Sequence, residues 1–148
     1  FLFFFCSNQS FSDSILINSS SFSNLLLDLA VSKDEKSVGL MFTKTLHKTN
    51  GMFFLYKIPK IVNFWMKNTY IPLDIIFVNN KQKVISINKG IPLSEQYISS
   101  IEPIKAVIEI PSGCSKIIDL KVGEFIDWKI INDEEKKDIR YYHCLHDY

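Results

Sequence analysis

The run Phe64-Trp65-Met66-Lys67-Asn68-Thr69-Tyr70-Ile71-Pro72-Leu73-Asp74 holds the densest set of side chains able to do chemistry. It reads as a strand end, a polar turn and a new strand that carries a carboxylate into apolar surroundings. Alternation places Trp65 on one face with Asn63 and Lys67, a combination suited to stacking a sugar or holding an extended peptide. An ionised Asp74 buried alone is prohibitively costly, so it needs donors, and Lys67, Asn68 and Thr69 are the nearest in sequence. Further on, Glu109 shares a strand face with Val107, opposite Ile108 and Ile110. Paired with Asp74 in one cleft it would permit general acid–base work or cation binding, provided the separation is right. The candidate ligand-binding set is therefore Trp65, Lys67, Asn68, Thr69, Asp74 and Glu109. Each also has a plainer reading. Asp74 can satisfy backbone donors of a turn, Trp65 can pack beneath a loop, and Glu109 can be a solvent-facing strand carboxylate.

Other constellations are thinner. His143-Cys144-Leu145-His146 has metal-like letters but no distant ligand pair, and structural zinc needs four ligands. His47 has no evident nucleophile beside it, and no GxSxG elbow, P-loop or dinucleotide fingerprint occurs. No catalytic residue, metal or other cofactor is expected.

The elements that must position the candidates are mostly strands. Ser14–Asn18 is a short apolar run, and Ser19-Ser20-Ser21 a turn. Leu25, Leu27, Leu29 and Val31 then alternate as a half-buried strand. Ser32 and Glu35 form a capping box, predicting a short helix from Lys33 to Leu40 or Phe42 with Val38, Met41 and Phe42 on its apolar side. Strands are expected again at Met52–Tyr56, Ile61–Met66, Leu73–Val78, Val84–Lys89, Ile104–Ile110 and Glu124–Ile131. Leu73–Val78 is apolar on both faces except at Asp74, so it belongs in the middle of the fold. About eight short strands broken by Gly, Pro and Asn predict a single mainly β domain, a β-sandwich or jelly-roll-like barrel with one short helix. Its expected bounds are 13–131, followed by a charged tail over 132–148.

Composition limits the class of partner. The chain has 148 residues, 47% hydrophobic and 22% charged, enough for one domain with its own core. Seventeen basic and 16 acidic side chains leave a net charge of +1, which argues against a generic electrostatic partnership with nucleic acid or anionic membrane. The opening Phe1-Leu2-Phe3-Phe4-Phe5-Cys6 resembles the end of a secretory apolar region, with Ser10-Phe11-Ser12 as a cleavage site and residues 1–12 as its remnant. An ordinary buried first strand is the alternative. Nothing later approaches the ~18 apolar residues of a membrane span. The expected location is outside the cytoplasm, in the periplasm or cell envelope. Cys114 and Cys144 are expected as plain buried side chains, with a bridge as the alternative.

Gly39-Leu40-Met41-Phe42, Gly51-Met52-Phe53-Phe54, Trp65-Met66-Lys67-Asn68-Thr69, Ile71-Pro72-Leu73-Asp74-Ile75-Ile76-Phe77, and Ala106-Val107-Ile108-Glu109-Ile110 with Gly113 and Gly123 stand in a recognisable order. Together they resemble the bacterial and archaeal family called domain of unknown function 192, over about Phe22 to Ile131. Thr43 departs from it, since a basic residue is usual there. The resemblance implies a compact, mainly β fold of jelly-roll or barrel type, often behind a signal peptide, and implies no activity. Physically, Gly39 and Gly51 suit a helix end and a strand start, and Gly113 and Gly123 suit turns of positive φ.

Three functions remain open, in this order. The first is a binding module for an envelope carbohydrate or peptide at the Trp65/Asp74 surface. The second is a structural or assembly factor that binds an envelope protein through an exposed patch or edge strand. The third is a hydrolase using Asp74 and Glu109, which requires both carboxylates in one cleft.

Overall fold

The computed structural model describes residues 13–46 and 50–144. The expected secretory remnant and cleavage site lie outside the described residues, as do His47 and His146. Strands β1 (Ser14–Asn18), β2 (Leu25–Ala30), β3 (Met52–Lys60), β5 (Leu73–Asn79), β6 (Val84–Gly90), β8 (Ile104–Pro111) and β9 (Asp127–Ile131) form one sheet. Its order is β6-β5-β8-β3-β2-β1-β9. Only β2 and β3 run parallel. A two-stranded ribbon, β4 (Asn63–Phe64) with β7 (Ile98–Ser99), stands apart.

The sheet curls until its two edges meet. The segment leading into β9 bonds to the start of β6: Val84 N–H donates to the Glu124 carbonyl at 2.9 Å, Gly123 N–H to Val84 at 2.8 Å, and Ile126 N–H to Gln82 at 2.8 Å. Of the two expected architectures, the barrel is therefore the one the chain adopts. Glu124 also fastens this junction to the turn between β1 and β2. Its carboxylate accepts from Ser20 Oγ at 2.8 Å, Ser21 Oγ at 2.6 Å and Ser21 N–H at 3.0 Å. Burial works against its charge, but the hydroxyls of Ser21, Ser19 and Ser20 prevail and hold the carboxyl down to about 2.

Alternation along the strands gives the barrel two apolar faces. Ile15, Ile17, Leu25, Leu27, Phe53, Ile76, Ala106, Ile108 and Ile110 fill the interior. Met52, Phe54, Tyr56, Leu73, Ile75, Phe77 and Val107 point outward into a second buried layer beneath β4, the loops around it and Leu40. β5 is buried on both faces along its length, as its apolar sequence predicts.

Among the described residues three short helices occur rather than one. α1 (Lys33–Val38) opens on the expected capping box: Ser32 Oγ accepts from Glu35 N–H at 3.1 Å, and the Glu35 carboxylate accepts from Ser32 N–H at 2.8 Å. It stops earlier than expected, because Gly39 takes φ +52° and its N–H closes on the Glu35 carbonyl at 2.8 Å. Phe42 is consequently not on a helix face but exposed, with φ +62°. α2 (Cys114–Ile117) follows the Gly113 turn. α3 (Asp133–Asp138) is the expected charged tail, and it too opens on a capping box, Asn132 with Glu135.

The described part of that tail, to residue 144, packs against the barrel. Ile139 and Tyr141 cover Leu16, Leu26 and Ile131 on the outer face of β1, β2 and β9. The buried Asn50 side chain donates to the Tyr142 carbonyl at 2.7 Å and accepts from Cys144 N–H at 2.7 Å. Cys144 is bonded to Cys114, with Cα atoms 5.5 Å apart. The expectation of two plain buried thiols is corrected, since the returning tail brings them together. No helix among the described residues is long and apolar enough to cross a membrane.

The bridge closes a loop with a sequence separation of 30 residues. Replacing both cysteines by serine is expected to lower unfolding free energy by about 3 kcal/mol, chiefly by freeing the unfolded chain. Urea denaturation of the oxidised protein and the double variant measures it; equal midpoints would show that the bridge contributes nothing.

Candidate functional site

On the outer face of the barrel, the six-residue α1 with the turn after it, and β4 with the residue that follows, border one opening. Between them lies a cleft of about 440 Å³, within the range of ordinary ligand pockets. Its walls are Lys36 to Met41 on one side and Asn63, Phe64, Trp65 and Tyr97 on the other, with Phe54, Tyr56, Thr69 and Glu109 beneath.

Local sequence explains the aromatic wall. Val62 and Met66 turn inward and are buried, so Trp65 emerges half-buried on the cleft side. Its ring stacks on Tyr97, centroids 5.8 Å apart and planes 19° from parallel. Lys67 Nζ lies 5.0 Å from the Trp65 ring and pairs with Glu95 at 3.1 Å, extending the platform outward. The inner side of the layer is fixed by Phe64, edge-on to Phe54 at 5.1 Å.

Asn68 and Thr69 act through their backbone. Asn68 takes φ +55°, which asparagine tolerates, and its carbonyl accepts from Phe42 N–H at 2.8 Å. The Thr69 carbonyl accepts from Leu93 N–H at 3.1 Å, and its hydroxyl donates to the Lys67 carbonyl at 3.3 Å. This turn ties together the loops on either side of the cleft. Thr69 lines the cleft, whereas Asn68 does not.

Glu109 forms the floor. It pairs in register with Met52 of β3 and Ile75 of β5, whose side chains share its outward direction. Only 5% of its surface is exposed, which overturns the solvent-facing reading. Among the described residues none ion-pairs with it, and burial pushes its carboxyl up to about 8. At neutral pH it is therefore mostly a carboxylic acid, able both to donate and to accept a hydrogen bond. Burial, then the nearby Glu109 charge, push the Tyr56 hydroxyl up to about 12. Gly39 roofs this floor: a Cβ there would stand 3.1 Å from the Phe54 ring and 4.0 Å from Glu109 Oε2.

Asp74 is elsewhere. It pairs with Ile110, an interior residue, and so points to the opposite face of the sheet from Glu109. Its Oδ2 accepts from Gly113 N–H at 3.0 Å, Ser115 N–H at 3.1 Å and Ser115 Oγ at 2.5 Å. It fastens α2 and the turn before it, not the Lys67–Thr69 turn. The two carboxylates share no cleft, and the hydrolase reading built on them is withdrawn.

The expected set thus divides. Trp65, Thr69 and Glu109 line one cleft, Lys67 edges it, Asn68 shapes it, and Asp74 leaves it. Lys36, Tyr56 and Tyr97 belong to it and were not foreseen. A tyrosine within the apolar run of β3 was the available signal for Tyr56; Tyr97 sits in a polar loop that gave none.

Two measurements follow. Asp74→Ala leaves three donors unanswered and is expected to destabilise by about 3 kcal/mol in urea unfolding, against a smaller loss for Asp74→Asn. Stability unchanged in both would remove Asp74 as the anchor of α2. Glu109 holds in the folded state a proton that the unfolded chain releases above its ordinary value of 4.5. Stability is therefore expected to fall as pH rises from 4.5 to about 8 and then to level off. The slope attributable to this one group is at most about 1.4 kcal/mol per pH unit. Glu109→Gln should flatten that slope; matching pH profiles in the two proteins would refute it.

Comparison with other proteins bears on identity. None of the curated proteins compared matches the chain. A solved protein of unknown function from Novosphingobium aromaticivorans DSM 12444 is 34% identical, with 78% of this chain and 84% of that chain aligned and a TM-score of 0.69. A second, from Sinorhizobium meliloti 1021 and provisionally described as a transcription regulator, is 29% identical over 80% of this chain and 95% of that one, with a TM-score of 0.73. Residues 15–128 match the family described as DUF192, Uncharacterized ACR. That span takes in the barrel from β1 into β9 and every residue of the cleft, and the chain belongs to this family.

Proposed function

We propose that this chain is an exported binding module whose cleft takes a saccharide of the cell envelope. The observation that carries the reading is that the stacked Trp65–Tyr97 pair and a buried, mostly protonated Glu109 line one cleft. Flat aromatic surfaces accept the C–H faces of sugar rings, and a carboxylic acid at the floor can answer a hydroxyl as donor or acceptor. Support for export comes from the Cys114–Cys144 bridge, a bond that persists in oxidising compartments. The regulatory description of the Sinorhizobium protein transfers poorly. The described helices have six, four and six residues, too short for a groove-reading helix, and the net charge is +1.

A second reading, a factor that docks on an envelope protein, draws on Phe42 and Leu93. Both are exposed, both have positive φ, and both are pinned by the Asn68–Thr69 backbone near the exposed Tyr70 and Ile91.

A thermal-shift panel of oligosaccharides, peptides and divalent metals tests the first reading. A ligand at 100 times its Kd is expected to add about 2.7 kcal/mol to the wild-type protein. Trp65→Ala should abolish the shift while its own unfolding changes by less than about 1 kcal/mol, as for a half-exposed side chain. Silence across the saccharides, or a shift that survives Trp65→Ala, would overturn the reading; a peptide response would favour the second.

A further inference from the structure

The cations in and beside the cleft are distributed unevenly: Lys36 lines it, while Lys60 and Lys67 stand outside its lining. Lys67 is answered by Glu95 at 3.1 Å. Lys36 and Lys60 are not: among the described residues neither stands within ion-pair distance of a carboxylate, yet both ammonium groups lie over one ring, that of Tyr56, at 4.8 and 5.1 Å from its centroid. Glu35, the acid beside Lys36 in sequence, is committed elsewhere, with its Oε2 accepting from Val31 and Ser32 N–H. The Lys36 ammonium makes one hydrogen bond, to the Val31 carbonyl. Burial, and then the Lys60 charge, push Lys36 below its ordinary value. An acid group arriving beside Tyr56 would relieve that repulsion and gain two charge-assisted hydrogen bonds. The floor is compatible with an anion, because the Glu109 carboxyl carries little charge near neutrality.

Resting on the saccharide reading above, we infer that the ligand is an acidic saccharide, its ring on the Trp65–Tyr97 platform and its carboxylate or phosphate held by Lys36 and Lys60 beside Tyr56. Lys36, Tyr56, Trp65 and Tyr97 line the one cleft, and Lys60, outside the lining, reaches the ring of Tyr56, so a single small ligand can meet the platform and the cations. Cations over an aromatic ring keep their attraction for anions while remaining anchored, which makes the pair a ready receptor for an acid group rather than a solvated surface charge.

Nuclear magnetic resonance titration of the whole chain with glucose, glucuronate, glucose 6-phosphate and inorganic phosphate tests this. Glucuronate or glucose 6-phosphate is expected to bind at least 10-fold more tightly than glucose, with the stronger of the two identifying a carboxylate or a phosphate as the acid group. Lys36→Gln and Lys60→Gln together should reduce the acidic sugar to the affinity of glucose, and Lys60→Gln alone, at an exposed position, controls for any disturbance of α1 and should lower it several-fold. Equal binding of glucose and the acidic sugars, or indifference to both substitutions, would overturn the inference and leave the saccharide reading standing. Inorganic phosphate binding as tightly as glucose 6-phosphate would also overturn it, since the ring would then contribute nothing. If no sugar binds, the saccharide reading fails and this inference falls with it.

Discussion

Strands β5 and β8 are buried on both faces, and every polar group they carry must find an answer without water. They carry two carboxylates, and these are answered in opposite ways. Asp74, facing the interior, accepts three hydrogen bonds from Gly113 and Ser115 and thereby fixes α2. Glu109, facing outward, is given no such donors among the described residues and instead retains its proton. One carboxylate has become a structural fastener and the other a neutral, two-way hydrogen-bonding group at the bottom of a cleft. The difference follows from the pleat: residues on paired strands that are out of phase by one position look to different sides of the sheet.

The cleft exists because the outer layer is incomplete. The interior layer is filled by alternate residues of the curled sheet and needs no cover. The outer layer is covered piecemeal, by the returning tail over β1, β2 and β9, and by the β4–β7 ribbon and its loops over β5, β8 and β3. Gly39 ends α1 after six residues, and because its positive φ and the nearby Phe54 ring exclude a larger side chain, the gap above Glu109 stays open. The Asn68–Thr69 backbone spans the margin of that gap and holds its two flanking loops to each other.

Much of this was legible in the chain, and the failures have a common cause. The capping box of Ser32 and Glu35 and the doubly apolar run of β5 are local patterns, and each appears where the sequence predicts it. The Asn132 and Glu135 box of α3 was equally readable but lay within a charge run that reads as a solvated tail. What could not be read were pairings across the chain. Asp74 meets Ser115, 41 residues away, rather than the donors beside it. Cys114 meets Cys144 only because the tail folds back on Asn50. The half-exposure of Trp65 follows from strand alternation alone, with Val62 and Met66 turned inward. Glu109 was ambiguous because alternation gives a residue's face without saying what covers it.

The pairing of β1 with β9 also has a temporal side. Ser14 lies opposite Ile131, so the first described strand completes its hydrogen bonding only with nearly the last. The Glu124 clasp on Ser20 and Ser21 spans a similar stretch of chain. β1 can pair early with β2, but its other edge stays open until β9 is in place, and loop closure over that distance makes this pairing slow relative to the hairpin of β5 and β6. Until then the open edge of β1 is a row of unpaired backbone donors and acceptors, a template on which another strand can add.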